Sequence, residues 1–291
     1  MQPVLLSIGH GFSAAATVRA LPPGWRVLAT TRNPEKATRL AAEGLEPVLW
    51  QGAPGCPALA AALAQATHLI SSVAPRGAGG QYGGDPVLAA LDGLVAPQLR
   101  WIGYLSASSV YGDAEGDWLD ETAPLEPTTG RGKARLAAEH GWQALGAALN
   151  AGVALFRIAG IYGPGRSAIE ALREGRAHRV VKPGQVFNRI HVTDLGRIVA
   201  AAASTGATGP FNLCDQEPAP PQDVVAHAAA LLGIEPPPET PFETAPLSPM
   251  ARSFYAESKR LRSTRVARDL GLALVYPDYR AGLAAILRAE G

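Results

Sequence analysis

A doubly wound α/β fold with a parallel sheet is predicted by three observations. Short apolar runs alternate with helical stretches through the first 160 residues. The first of those runs passes through a glycine turn straight into a helix. The segments between successive runs are long enough for crossover helices, which parallel strands need and antiparallel hairpins do not.

Val4-Leu5-Leu6-Ser7-Ile8 reads as a buried strand, Gly9-His10-Gly11-Phe12-Ser13-Ala14 as a turn, and 15–21 as a helix. A second strand follows at 25–30, then a helix opened by Asn33-Pro34-Glu35, with a cap, a proline in the first turn and an acid near the positive end. Strands are predicted at 45–49, 68–73, 100–105 and 153–158, and helices at 57–66, 85–95 and 132–149. After Gly160 the rhythm changes. Proline-rich pieces (Pro236-Pro237-Pro238, Pro241, Pro246, Pro249) separate short helices at 221–232 and 280–288. The expected organisation is a Rossmann-type dinucleotide-binding core over 1–160 and a smaller mixed region over 161–291. That second region completes the sheet and forms a substrate-side lobe.

A strand, glycine turn and helix present free backbone N–H groups and a positive helix end to a phosphate. Gly9 permits the tight turn, Gly11 lets a pyrophosphate come close, and Ala14 lets helix pack on strand. An ordinary βα turn is the plain alternative. Ligands of such sheets bind at the carboxyl ends of the strands. The loop ends at 9–14, 30–33, 71–84, 106–112 and 159–166 are therefore the places to look. They supply the candidate cofactor residues Gly9, His10, Gly11, Phe12, Ser13, Thr31, Arg32, Ser72, Val73, Ser106 and Gly160. The end of the second strand, Thr30-Thr31-Arg32-Asn33, carries no carboxylate before Glu35. An arginine there suits the 2′-phosphate of NADP, whereas NAD sites place an acid on the ribose. NADP is the expected cofactor and NAD the alternative; Arg32 as a solvated surface residue is the plain reading. The glycines of Gly77-Ala78-Gly79-Gly80 and Gly83-Gly84 form either a lid or an idle loop.

Composition narrows the setting. The 291 residues are 47% hydrophobic and carry a net charge of +1. That balance gives no global attraction to nucleic acid or an anionic membrane. No run of ~18 apolar residues suggests a membrane span, and no basic segment precedes an apolar one as in a signal peptide. Cys56 and Cys214 sit in no metal-ligand spacing. No metal site is expected, and a reducing cytoplasm is. The expected partner is a small-molecule substrate, with a homodimer possible.

Tyr104-Leu105-Ser106-Ala107-Ser108-Ser109-Val110-Tyr111-Gly112-Asp113 resembles the strand-end motif of extended short-chain dehydrogenases/reductases, the nucleotide-sugar epimerase and dehydratase group. Arg157-Ile158-Ala159-Gly160-Ile161-Tyr162-Gly163-Pro164-Gly165 resembles their sixth-strand motif. Arg189-Ile190-His191-Val192-Thr193-Asp194-Leu195, Phe211-Asn212-Leu213 and Tyr276-Pro277-Asp278-Tyr279-Arg280-Ala281-Gly282-Leu283 follow in the same order. Gly9-His10-Gly11 and Ser248-Pro249-Met250-Ala251-Arg252-Ser253-Phe254 resemble an atypical bacterial branch whose substrates are unassigned.

The resemblance implies a tyrosine acid/base, a lysine four residues later and a hydroxyl at the fifth strand end. This chain departs at each place. One register puts Arg131 and Arg135 at the tyrosine and lysine; another puts Thr129 and Lys133 there. Ala107 stands at the hydroxyl position, flanked by Ser106, Ser108 and Ser109. Arginine stays protonated and cannot shuttle a proton. Ser108, Tyr111, Arg131 and Arg135 are the candidate catalytic residues, Tyr111 being the best surviving acid unless its ring only packs. Tyr162, Arg166 and Arg189 are candidate substrate contacts, although each arginine is equally suited to a structural ion pair. His191 reads as a core histidine rather than a proton carrier, and His10 as either a pyrophosphate contact or an exposed turn residue. Two functions fit: an NADP-dependent oxidoreductase or isomerase acting on a sugar-like or carbonyl substrate, and a catalytically inactive dinucleotide-binding sensor or scaffold.

Overall fold

The computed structural model describes residues 2–77 and 84–289. The chain runs β1 (Val4–Ile8), α1 (Phe12–Ala20), β2 (Arg26–Thr31), α2 (Pro34–Ala42), β3 (Glu46–Leu49), α3 (Pro57–Gln65), β4 (His68–Ser71) and α4 (Pro86–Leu91). It continues through β5 (Trp101–Ala107), a 3-10 turn (Ser108–Tyr111), β6 (Trp118–Leu119), α5 (Gly130–Leu149), β7 (Gly152–Ile158), β8 (Gly160–Tyr162), α6 (Ala168–Arg173) and β9 (Arg179–Val181). The last part is β10 (Arg189–His191), α7 (Val192–Thr205), β11 (Gly209–Leu213), α8 (Pro221–Leu232), β12 (Glu239–Pro241), α9 (Pro249–Phe254), β13 (Arg260–Leu261), α10 (Arg265–Leu270) and α11 (Tyr279–Arg288).

Seven strands form one parallel sheet in the order β11-β7-β5-β4-β1-β2-β3. The chain starts at β1, winds outward through β2 and β3, then crosses back to β4 on the other side of β1. The order reverses between β1 and β4, and the crevice of a doubly wound sheet opens at such a point. This is the Rossmann-like α/β fold the sequence predicts.

Both sheet faces are covered, so the central strands are buried on both sides and predominantly apolar. On one face Leu59 and Leu63 of α3, Leu88 of α4 and Trp142 of α5 pack against Leu6, Ile102 and Tyr104. On the other, Ala14 of α1 and Leu195 and Val199 of α7 pack against Leu5, Ile70 and Phe156. Each buried leucine, isoleucine, valine or phenylalanine among these contributes roughly 1.5–3 kcal/mol.

Helix starts follow local chemistry. The Asn33 side chain accepts the Glu35 and Lys36 N–H groups at 2.7 and 3.1 Å, with Pro34 in the first turn. Asp85 caps α4 in the same way, through the N–H groups of Val87 and Leu88. That helix stops at Leu91 rather than near 95, because Asp92 leaves the helical conformation and Gly93 takes φ +72°. The first helix begins at Phe12, three residues earlier than the apolar pattern suggested.

The part of the chain beyond 160 contributes β11 and α7 to the central layers. It also makes a cluster of its own from Ile169, Val224, Ala228, Leu283 and Ile286. Three two-stranded parallel pairs, β8 with β10, β9 with β12 and β6 with β13, were not expected from the sequence; each has only two or three residues per strand. Residues 78–83 of the glycine-rich stretch read as a possible lid lie outside the described residues. No helix among the described residues is long and apolar enough to cross a membrane.

Candidate functional site

Two clefts lie at the carboxyl ends of the strands. The first, of about 440 Å³, opens over β1, β2 and β4. Its floor is the turn after β1. Gly9 has φ +80°, and a β-carbon there would sit 2.7 Å from Val73 Cγ2 and 3.0 Å from Ser72 Oγ. Only glycine fits. The Gly9 N–H donates to Thr30 Oγ1 at 2.8 Å, and its carbonyl accepts from the Ser72 hydroxyl, so the turn is tied to both neighbouring strands.

Gly11 differs. Its φ is −116°, open to any residue, and a β-carbon would meet only the Gly9 carbonyl at 3.8 Å. The fold leaves space above it. No side chain caps α1, and its first turn holds no acid, so its leading N–H groups face the cleft unclaimed. A dinucleotide pyrophosphate fits that arrangement.

Gly9, His10, Gly11, Thr31, Arg32, Ser72 and Val73 all line this first cleft. Phe12 and Ser13 follow as the first residues of α1. His10 is 4% exposed, with Nδ1 3.0 Å from Ser7 Oγ, and burial followed by the Lys36 charge lowers its pKa. It is a buried turn residue, not an exposed one. Sequence reading missed Lys36 and Arg76, which join Arg32 along the wall. The Lys36 ammonium donates to the His10 carbonyl. The Asn33 cap that fixes the start of α2 was the available signal for Lys36. Among the described residues the lining holds no carboxylate; Glu35 is exposed outside it.

The second cleft, of about 780 Å³, lies beyond the end of β5. The N-terminal turn of α5 is pressed against the 3-10 turn, where a β-carbon on Gly132 would collide with the Ser109 carbonyl. Thr129 caps the helix through the Gly132 N–H at 3.2 Å. That docking turns Thr129, Arg131 and Arg135 into the cleft and leaves Lys133 exposed outside its lining. Arg135 Nη1 donates to the Tyr104 hydroxyl at 3.0 Å and the Leu105 carbonyl at 2.9 Å. Arg131 Nη2 donates to Ser253 Oγ at 3.0 Å, its guanidinium 4.2 Å from the Phe254 ring centroid.

Ala107, Ser108, Gly160, Tyr162, Arg166 and Arg189 line the same cleft. The Tyr162 hydroxyl donates to the Asp278 carbonyl at 3.2 Å, and burial pushes its pKa up. Arg189 Nη1 is held by the carbonyls of Phe187 and Ala219, at 2.9 and 3.1 Å. Arg166 lies 5.9 Å from the ring centroid of Phe12, so the two clefts adjoin at the start of α1.

Two candidates are held elsewhere. The Tyr111 phenol, 2% exposed, donates to Asn212 Oδ1 at 2.7 Å and accepts from Arg157 Nη1 at 3.1 Å; burial raises its pKa. Ser106 Oγ donates to Glu139 Oε1 at 2.6 Å, and Glu139 pairs with Arg157 at 3.0 Å. These side chains form one buried network behind the second cleft, outside its lining. His191 is also interior. Its Nδ1 accepts the Thr193 N–H at 3.2 Å, and burial depresses its pKa to about 4. Sequence reading also missed Glu257 and Lys259, an ion pair at 2.7 Å in the cleft wall. They lie more than a hundred residues from β5, and no local pattern marks them.

Known proteins share this architecture. The family described as "NAD dependent epimerase/dehydratase family" matches residues 87–214. A functionally unknown conserved protein from Silicibacter pomeroyi is 46% identical, superposes with a TM-score of 0.86, and is matched over 99% of both chains. Protein YeeZ of Escherichia coli K12 is 29% identical over 225 residues, 75% of this chain and 74% of that protein. The dTDP-glucose 4,6-dehydratase DesIV of Streptomyces venezuelae, a double mutant solved with NAD bound, is 18% identical with a TM-score of 0.78 over 98% and 95% of the two chains, a likeness of fold. Residues 87–214 thus match the NAD dependent epimerase/dehydratase family, and the chain as a whole has the fold of nucleotide-sugar epimerases and dehydratases.

Proposed function

We propose that this protein binds NADP in preference to NAD and acts as an oxidoreductase or isomerase on a small sugar-like or carbonyl substrate. One observation carries the cofactor preference. The first cleft is walled by Arg32, Lys36 and Arg76, with no carboxylate to receive a ribose 2′-hydroxyl. A guanidinium and an ammonium suit a 2′-phosphate, which forms charge-assisted hydrogen bonds with both. The turn at 9–11 takes the pyrophosphate, and Gly160 and Arg135 approach the nicotinamide end from the second cleft.

The bound dinucleotide supplies hydride transfer. The chain supplies position, charge and a path for the proton. In the register that sets Arg131 and Arg135 at the family's tyrosine and lysine, neither releases a proton at neutral pH, and in the other register Thr129 supplies no phenol. Tyr162 is raised by burial and its hydroxyl is engaged. The ordinary tyrosine-driven oxidation is therefore not the reaction of this site, and Ser108 is the free hydroxyl nearest the end of β5. The region 161–291 acts as the substrate-side lobe, with Tyr162, Arg166 and Arg189 as its contacts. A cytoplasmic setting accords with the two free thiols, Cys56 and Cys214.

The arginines in place of an acid/base also favour a second reading, a dinucleotide sensor without turnover. Nicotinamide absorbance, followed with NADP(H)-loaded protein over a sugar and carbonyl library, separates the two. Turnover on any compound supports the enzyme. Tight dinucleotide binding with no turnover across the library supports the sensor.

A further inference from the structure

We infer that Arg131 and Arg135 form an oxyanion clamp at the end of β5, and that the ligand of the second cleft carries a carboxylate or phosphate seated between them. The inference rests on the second cleft being the substrate site and names the chemistry of what enters it. Its first support is charge. The cleft gathers Arg131, Arg135, Arg166, Arg189 and Lys259 against a single carboxylate, Glu257. Glu257 is already taken, by Lys259 at 2.7 Å and by the Thr128 hydroxyl at 3.1 Å. Among the described residues none of the four arginines makes a direct ion pair with a carboxylate, and Asp215 acts on Arg189 through its charge.

The second support is electrostatic cost. A helix N-terminus is positive and favours acids in its first turn. The 20-residue α5 has none there; it has Arg131, with Lys133 and Arg135 next. Cations at that end repel the helix dipole and one another. An anion seated there would reverse each of those repulsions.

The third support is pre-organisation. Arg135 is anchored through Nη1 alone, and Arg131 through Nη2 alone. Each guanidinium keeps Nε and one further nitrogen for a ligand. Ring stacking on Phe254 and the hydrogen bonds to Tyr104 and Leu105 hold both planes. They stand four residues apart on one helix and face the same cleft. Their neighbours at the strand end are Ala107 and Ser108, so the anionic group sits beside the reacting part of a ligand.

Calorimetry on the protein saturated with NADP, which fills the first cleft and reaches the second only with its nicotinamide end, tests the clamp. The probes are inorganic phosphate, malonate and uncharged glucose. Phosphate or malonate should bind with about millimolar affinity or better. Arg131→Gln and Arg135→Gln should each weaken that binding about tenfold or more, and glucose should not compete. Stronger phosphate binding points to a phosphorylated ligand, and stronger malonate binding to a carboxylic acid. Thermal unfolding gives an independent readout. Arg131→Gln alone should melt no lower than wild type, and the anion should raise the melting temperature of wild type but not of the variant. No anion binding to the wild type, or binding that neither substitution changes, overturns the clamp. If the anion binds but NADP does not, the dinucleotide reading falls and the clamp stands.

Discussion

The two clefts are built from different materials. The first is made largely of backbone: a glycine turn, the uncapped end of α1 and carbonyls tied to neighbouring strands, with a few cations at its rim. The second is made of side chains drawn from β5, α5, β8, β10 and the segment around α9. A backbone cradle is indifferent to most substitutions except at its glycines, whereas a side-chain cleft changes chemistry with every residue. That difference explains how a chain can keep a Rossmann-like fold while the side chains of its second cleft change.

The largest expected effect lies behind the second cleft. Glu139→Ala leaves the Arg157 guanidinium buried without its partner and strips Ser106 of its acceptor. Breaking such a pair costs about 3–5 kcal/mol, read as a fall in the urea midpoint. A loss under ~1 kcal/mol would mean the network relaxes or admits water, and that the second cleft does not depend on it.

Gly11→Val probes the backbone cradle. The space above Gly11 and its ordinary φ mean the fold tolerates the side chain, while a pyrophosphate does not. The expected result is near-wild-type melting with dinucleotide binding abolished in a fluorescence titration. Retained binding would show that the glycine turn serves the fold alone. Gly9→Val is the contrasting variant, expected to destabilise the protein because Val73 and Ser72 leave no room.

Arg32→Ala separates rim from cradle. It should weaken NADP by about 1.5–3 kcal/mol, the range for hydrogen bonds to charged groups, and leave NAD almost unchanged. Equal losses for both dinucleotides would place Arg32 on a part they share.

The smallest expected effect is a pH dependence next to Arg189. Burial pushes the Asp215 carboxyl up to about 7, opposed by the Glu217 N–H and the Arg189 charge. A carboxyl raised in the fold above its usual 3.8 contributes most stability below that pH and loses it as pH climbs through 7. Asp215→Asn should therefore gain more over wild type at pH ~8 than at pH ~5, by on the order of 1–2 kcal/mol in urea unfolding. An equal difference at both pH values would mean that Asp215 ionises normally.

How far the sequence could be read follows the same division. The parallel sheet, its glycine turn and the Asn33 and Asp85 caps rest on neighbours in sequence, and they are visible there. The end of α4 was not, because an apolar stretch continues past the Gly93 stop. At the first cleft, Gly9 to Arg32 were legible from the strand ends, but Lys36 and Arg76 reach it only through tertiary placement. In the second cleft Arg131 and Arg135 were found as departures from a motif. The docking of Gly132 on Ser109 turns Thr129, Arg131 and Arg135 inward and leaves only Lys133 outside, a distinction the sequence alone does not make. Tyr111 illustrates the limit: the sequence places a phenol near the strand end, and only packing shows it committed to Asn212 and Arg157.

The preference for a phosphorylated dinucleotide is the central claim, and calorimetric titration of the wild-type protein with NADP and NAD under identical conditions tests it most directly. The cationic, carboxylate-free rim leads to NADP binding tighter by roughly 10- to 150-fold, the equivalent of about 1.5–3 kcal/mol. Equal affinities, or tighter binding of NAD, would contradict it.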